Sequence, residues 1–124
     1  MKDIQTEEDI KTLVDKFYQR VLKDDVIGYL FTDVVQLSWE KHIPIMYSFW
    51  SSILLGTKTY EGNPMGKHIE IDKIEPLTQK HFEHWLYLWQ ITIAENFEGE
   101  VADEALNRAK SIAALIQYRI EKSH

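Results

Sequence analysis

Apolar side chains that recur at helical spacing are the feature that most constrains the fold of this chain. Between residues 7 and 23, large apolar and aromatic residues repeat at intervals of three and four, which places them on one face of a helix. Thr6 and Asp9 stand at the spacing of a capping box, with aspartate in place of the usual glutamate. The polar segment Lys23–Asp25 ends this helix, and Val26–Phe31 predicts a single helical turn.

The next periodic segment predicts a second helix with a proline inside it. Ser38 is its predicted N-cap, and the helix continues to Leu55, where Gly56 stops it. Pro44 removes one backbone hydrogen bond and crowds the preceding turn. We therefore expect the turn around His42 to be loose, 3₁₀-like or kinked.

The rest of the chain predicts two further helices after an irregular segment. Repeated glycine and proline break residues 56–77, which leave room for a short helical turn at 64–69. A third helix covers about Thr78–Phe97, with its first residue as the cap, and a fourth covers about Glu100–Glu121. Because no pair of strands with a hairpin turn is found, the sequence predicts a single all-α domain over 1–124.

Composition narrows the functions open to the chain. It has 14 basic and 20 acidic residues, and the resulting charge of −6 disfavours binding to phosphate backbones. The absence of cysteine excludes disulfides, thiolate metal sites, iron–sulfur clusters and a cysteine nucleophile. No apolar run reaches the ~18 residues of a membrane span, and the first residues lack the apolar core of a signal peptide. We therefore expect a cytoplasmic protein that binds neither nucleic acid nor a membrane.

Aromatic residues are the unusual part of this composition. Phenylalanine, tyrosine and tryptophan make up 12% of the chain, and four residues are tryptophan. A small core that is so rich in rings either packs very densely or surrounds a flat ligand. The composition alone leaves both possibilities open.

Histidines and one tyrosine are the candidate ligand-binding side chains. His81 and His84 stand three residues apart and could share a metal, but they lack the Glu-x-x-His pattern of di-iron bundles and also fit a helix surface. His68 follows glycines and a proline, where its imidazole is either solvated or an axial haem ligand. His42 and Tyr18 lie on apolar helix faces, so each is either a core residue or a polar group that faces a ligand. A buried hydroxyl without a partner costs ~1–3 kcal/mol.

Seven short motifs, taken together, resemble the group III truncated haemoglobins. The resemblance runs from about Asp9 to Arg119, and the glycine pairs of other truncated-globin groups are missing. The motifs occur in chain order as Phe17-Tyr18, Asp25-x-x-Gly28 with Phe31, Trp39-x-x-His42, Phe49-Trp50, Leu54-Leu55-Gly56, Tyr60-x-Gly62-x-Pro64-x-x-x-His68 and Phe82-x-x-Trp85-Leu86.

This resemblance implies a two-on-two helical sandwich around haem b. It implies that His68 is the proximal ligand of the iron. It also implies that Tyr18, His42 and Trp85 line the distal pocket, where the hydroxyl and the indole N–H could both donate to bound O₂. The remaining implied haem contacts lie in the pocket wall and rim and in the motif that contains His68. They are Met46, Phe49, Trp50 and Tyr60.

The function implied by the resemblance is the binding of O₂ and other diatomic gases, CO and NO, at a ferrous haem. This binding could serve O₂ scavenging, delivery or sensing. An alternative is redox chemistry on the same haem, either NO dioxygenation or a peroxidase-like reaction, which would need a separate reductase because no flavin or nucleotide motif is present. A haem-free helical interaction module is the third possibility. We expect a monomer or a weak homodimer.

Overall fold

The computed structural model describes residues 1–31, 39–57 and 77–123, and most of these residues are helical. No β-strand occurs in the described ranges, and the expected all-α class is confirmed. The helices are α1 (Glu7–Val21), α2 (Trp39–Leu55), α3 (Gln79–Asn96) and α4 (Glu100–Ser123). None of these helices combines the length and the apolar character that a membrane crossing needs.

The start of α1 has the capping box that its sequence predicts. The amide of Asp9 donates to the Thr6 hydroxyl at 3.2 Å, and the amide of Thr6 donates to the Asp9 carboxylate at 3.1 Å. The same carboxylate forms an ion pair with Lys2 at 2.8 Å. Two of the amides that a helix start leaves unpaired are therefore satisfied locally.

The corner after α1 is organised by Asp24. Its carboxylate accepts hydrogen bonds from the amides of Val26 and Ile27, both at 3.0 Å. The chain therefore turns earlier than the apolar periodicity predicts, and α1 ends at Val21 rather than at residue 23. The predicted helical turn is present in part, because residues 28–31 are helical and the residues before them form a turn.

The second helix is α-helical without interruption across Pro44. We expected the turn around His42 to be loose, 3₁₀-like or kinked, and the 3₁₀-like form is not found. The helix ends at Leu55 as predicted, and Gly56 has a φ of 70°, a left-handed conformation that glycine adopts without steric cost. The predicted cap Ser38 lies outside the described residues, as does the helical turn predicted at 64–69.

The third helix begins at Gln79, and Thr78 is its N-cap as predicted. The amide of Thr78 donates to Nδ1 of His81 at 3.0 Å, which is one half of a capping box. Phe97 leaves the helix with extended backbone, so α3 ends at Asn96. The fourth helix continues to Ser123, slightly beyond its predicted end.

The core lies between α1, α3 and α4, and α2 contributes Trp50 to it. Helix α1 packs against α2 and α3, while α4 packs against α3 and touches α2. Trp89 is fully buried; its indole N–H donates to the carbonyl of Ala105 at 3.1 Å, and its ring stacks on Trp50 with centroids 4.4 Å apart. The small buried residues Ala109 and Ala113 continue the same face of α4, so the two backbones can approach.

The first residues of the chain close the corner between α3 and α4. The Asp3 carboxylate accepts from the amide of Ala102 at 2.8 Å and from the amide of Val101 at 2.9 Å. Gly99 precedes α4 with a φ of 144°, and a Cβ built there would lie 2.5 Å from Cγ of Asp3. Since glycine has no side chain to cap the helix, Asp3 acts as its cap from the other end of the sequence.

Candidate functional site

The central polar contact of the site joins α1 to α2. The hydroxyl of Tyr18 lies 3.1 Å from Nε2 of His42, and the two rings meet edge to face with centroids 5.3 Å apart. Tyr18 is only 8% exposed. Burial raises the pKa of its hydroxyl well above the ordinary value, so the hydroxyl keeps its proton. Two of the three residues that the resemblance implies for the distal pocket are therefore in direct contact.

Two proton arrangements satisfy the contact between Tyr18 and His42. A neutral imidazole has one N–H donor and one acceptor nitrogen, so either the tyrosine hydroxyl donates to Nε2 or the Nε2–H donates to the tyrosine oxygen. In the second arrangement the phenol hydrogen is directed at another acceptor. The pair can therefore turn a polar hydrogen toward a small ligand without breaking its own contact.

Aromatic rings surround the buried tyrosine. The ring of Phe17 meets those of Tyr18 and Trp89 with centroids 5.0 Å away, and that of Trp85 at 6.0 Å. Phe31 meets Tyr18 edge-on at 6.0 Å. Phe17 and Phe31 belong to the sequence motifs but were not predicted as site residues, although the motif spacing was the signal that could have identified them.

Trp85 reaches the site through Phe17 rather than through the tyrosine–histidine pair. Its side chain is half-buried on α3. Its indole N–H has no hydrogen-bond partner in the part of the chain that the structure describes. Indole is a donor only, so this group can serve an acceptor that comes from a ligand.

Helix α2 is apolar but little buried. Among its described side chains, Trp50 and Ser51 are buried, whereas Ile43, Met46 and Phe49 are only half-buried against the core. Half-exposed apolar side chains along one helix are unfavourable in water, and a flat apolar group would cover them. The haem implied by the sequence motifs fits this surface and the polar pair at its start.

Of the other predicted haem contacts, Phe49 and Trp50 are among the described residues. Phe49 packs edge-on against Trp50 with centroids 5.3 Å apart. Trp50 is 4% exposed and belongs to the core between α2 and α3. Tyr60 and His68, the predicted proximal residues, lie outside the described residues.

The two histidines at the start of α3 hold it to the corner after α1. Because Nδ1 of His81 accepts from Thr78, a neutral His81 carries its proton on Nε2 and donates to the Tyr29 hydroxyl at 3.1 Å. Nδ1 of His84 is buried 3.5 Å from the Asp24 carboxylate without forming a hydrogen bond. Across the described residues, no group of three or more potential metal ligands occurs.

Comparison with known proteins identifies relatives in both sequence and fold. The profile of the family described as Bacterial-like globin matches residues 2–118. The chain is 32% identical over 119 residues to the Group 3 truncated hemoglobin ctb of Campylobacter jejuni, which covers 94% of this chain and 91% of that protein. It is 37% identical over 71 residues to the Group 1 truncated hemoglobin GlbN of Synechocystis sp., which covers 56% of this chain and 55% of that protein.

A solved structure extends the comparison to the whole fold. The crystal structure of group III truncated hemoglobin from Campylobacter jejuni matches with a TM-score of 0.85 at 30% sequence identity. The match covers 100% of this chain and 98% of that chain. It therefore spans all four helices.

Proposed function

This chain belongs to the bacterial-like globin family, and we propose that it is a haem b protein that binds O₂ and other diatomic ligands, including CO and NO. The truncated-globin fold expected from the motifs is confirmed by the match to the group III structure. Membership of the globin family implies a haem cofactor. The observation that carries the proposal is the contact between the buried Tyr18 and the half-buried His42, at the start of the half-buried apolar face of α2.

We assign the iron ligand to His68 and the polar groups of the pocket to Tyr18, His42 and Trp85. The motif around His68 supports the first assignment. The contact between Tyr18 and His42 and the available indole N–H of Trp85 support the second. The apolar wall, the rim and the proximal contacts are assigned to Met46, Phe49, Trp50 and Tyr60.

The side chains of this pocket decide how long a ligand stays. Haem supplies the iron at which a diatomic gas binds reversibly. The Tyr18 hydroxyl stays protonated because burial raises its pKa, so it can donate to a ligand that carries partial negative charge. The indole N–H of Trp85 is a donor at every pH, and each such bond contributes ~0.5–1.5 kcal/mol. Met46 and Phe49 exclude water, which strengthens both bonds.

The proposal includes a physiological setting. We propose a single cytoplasmic domain over 1–124 that acts as a monomer or a weak homodimer and binds no nucleic acid. The alternative is a redox role on the same haem, NO dioxygenation or a peroxidase-like reaction, since polar donors that retain O₂ also polarise its O–O bond. That role requires a separate reductase, because the chain has no flavin or nucleotide motif.

Absorption spectroscopy of the purified protein tests the proposal. We expect an intense Soret band with equimolar haem, and a shift of this band when CO is added to the reduced protein. His68→Ala should lose haem or lose the spectrum of an imidazole-ligated iron, because it removes the proposed axial ligand.

His42→Ala is the control for the assignment of the ligand, and it should keep the imidazole-ligated spectrum. If His68→Ala kept that spectrum and His42→Ala lost it, the proximal and distal assignments would be exchanged. A wild-type chain that takes up no haem when haem is supplied would sink the proposal itself.

A further inference from the structure

Tyr47 of α2 contacts two charged residues of α1, Asp15 and Lys11. Its hydroxyl donates a hydrogen bond to the Asp15 carboxylate. The ammonium of Lys11 lies 5.8 Å from the centroid of the Tyr47 ring, and Lys11 also pairs with Glu8 at 3.4 Å. Because these α1 residues stand three and four positions apart, they form one row on the helix surface that receives both the ring and the hydroxyl.

The hydroxyl of Tyr47 is a permanent donor in this arrangement. Burial, the hydrogen bond to Asp15 and the negative charges of Asp15 and Glu8 raise its pKa to about 12. A hydrogen bond from a phenol to a carboxylate is charge-assisted and stronger than one between neutral groups. The hydroxyl therefore keeps its proton near neutral pH and can donate to the Asp15 carboxylate.

This outer contact is coupled by geometry to the contact inside the pocket. Asp15 and Tyr18 lie one turn apart on α1, while Tyr47 and His42 lie five residues apart on α2. Asp15 binds Tyr47 and Tyr18 binds His42. The order of the bonded residues along α1 is therefore reversed along α2. Two bonds at separate levels fix how far α2 can slide or tilt against α1.

We propose that Tyr47 is a positioning residue that holds α2 against α1 and thereby sets the distance between Tyr18 and His42, which restrains the access of diatomic ligands to the pocket. This inference rests on the proposed function. Between the described residues of α1 and α2, two side-chain hydrogen bonds are found, Tyr47 with Asp15 and Tyr18 with His42. When the first is removed, only the contact in the pocket remains. The histidine then moves away from the tyrosine more often, and the pocket opens more often.

Laser-flash photolysis of the CO complex measures this opening. In the haem-loaded protein, Tyr47→Phe should raise the bimolecular rate of CO rebinding about fivefold, the factor that corresponds to one hydrogen bond of ~1 kcal/mol. This substitution keeps an aromatic ring beside Lys11, so only the hydroxyl is removed. Asp15→Asn keeps an acceptor but loses its charge, and it should give a smaller increase.

Glu95→Ala is the matched control. Glu95 pairs with Arg20, so this substitution also removes an exposed contact of α1, but one that leads to α3 rather than to α2. We expect wild-type rebinding from this control. If it matches Tyr47→Phe, the effect is general loosening of the surface, and the positioning role is wrong.

A double-mutant cycle shows whether Tyr47 acts through the pocket. In a His42→Ala background, Tyr47→Phe should have no further effect on rebinding, because the residue whose position it sets is absent. An undiminished effect in that background would overturn the inference, as would a wild-type rate for Tyr47→Phe alone.

Hydrogen exchange provides a readout that does not depend on haem. Amides of α2 (39–55) should exchange several-fold faster in Tyr47→Phe than in Glu95→Ala, with or without bound haem. Equal exchange in the two variants would overturn the inference even if the protein bound no haem. Failure to bind haem would instead overturn only the proposed function.

Discussion

The Tyr18 hydroxyl gives the sharpest test of the pocket. It is buried, it keeps its proton, and it is already within hydrogen-bond distance of a polar partner. We predict that Tyr18→Phe speeds O₂ dissociation about tenfold, because losing a bond of ~1.4 kcal/mol changes a rate by that factor. Stopped-flow displacement of O₂ by CO measures the dissociation rate.

Carbon monoxide distinguishes hydrogen bonding from size in this variant. Bound CO carries less negative charge than bound O₂, so its release should change less in Tyr18→Phe. Equal changes for the two gases would mean that Tyr18 acts by filling space, and the hydrogen-bond role would be rejected.

His42 differs from its neighbours in the pocket because imidazole titrates near neutral pH. We predict that His42→Ala changes the rate of ligand association and removes any pH dependence of the wild-type rate between about pH 5 and 8. Laser-flash rebinding of CO across this range measures both effects. Association with an unchanged rate and an unchanged pH profile would show that His42 does not control access.

Trp85→Phe is the companion variant to His42→Ala. Indole does not titrate in this range, so its loss should speed O₂ release by the same factor at every pH. The contrast between the two variants separates a permanent donor from a titrating one.

The sequence was sufficient to predict some of these residues and not others. Tyr18 and His42 lie on apolar stripes, and periodicity fixes the direction of such residues toward the core. Tyr47 and Asp15 lie off those stripes, and their bond depends on how α1 crosses α2, which no local pattern specifies. The local pattern around His81 was compatible with a helix surface, because it does not specify contacts between helices. In the structure, His81 bonds to Tyr29 in the corner after α1.

At the scale of elements, some helix ends were predictable from the local sequence and others were not. The start of α1 and the end of α2 were predictable because Thr6 with Asp9, and Gly56, carry their own start and stop chemistry. The end of α1 was predicted too late, because Leu22 fits the apolar period although it is 40% exposed. The side chain of Asp24 accepts hydrogen bonds from the amides of Val26 and Ile27, which competes with continuing the helix. The apolar periodicity does not report this competition.

The cap that Asp3 provides for α4 predicts a stability change at this scale. Asp3→Ala removes the acceptor for the amides of Val101 and Ala102, and we expect it to lower the free energy of unfolding by ~0.5–2 kcal/mol. Urea denaturation near neutral pH measures this difference. An unchanged midpoint would show that α4 starts without help from the first residues.

The same cap predicts the pH at which its contribution disappears. Burial raises the pKa of Asp3, but hydrogen bonds from Val101, Ala102 and Ile4 outweigh burial, and the pKa lies below its ordinary value of 3.8. A carboxyl with a lowered pKa stabilises the fold fully above its unfolded pKa and loses that effect as the pH falls through its folded pKa. The difference between wild type and Asp3→Ala should therefore shrink below pH 3.8.

At the scale of the whole molecule, the absence of a flavin or nucleotide motif predicts how the protein behaves toward NO. We expect the O₂-loaded protein, given NADH alone, to consume no more than equimolar NO, because nothing in its sequence returns the oxidised haem to the ferrous state. An NO electrode measures the consumption. Adding a flavin reductase should allow repeated turnover, and continued consumption without one would contradict the need for a separate partner.

The stacked pair of Trp50 and Trp89 also has an optical consequence. Two indoles with centroids 4.4 Å apart and planes inclined by 25° share their excited states. We expect their coupled transitions to add a pair of bands of opposite sign to the far-ultraviolet circular dichroism, on top of the helical signal. A helix content read from that spectrum would be distorted, and replacing either tryptophan with phenylalanine would remove the distortion. The packing of α2 on α3 thus has its own spectroscopic signal, separate from that of the haem.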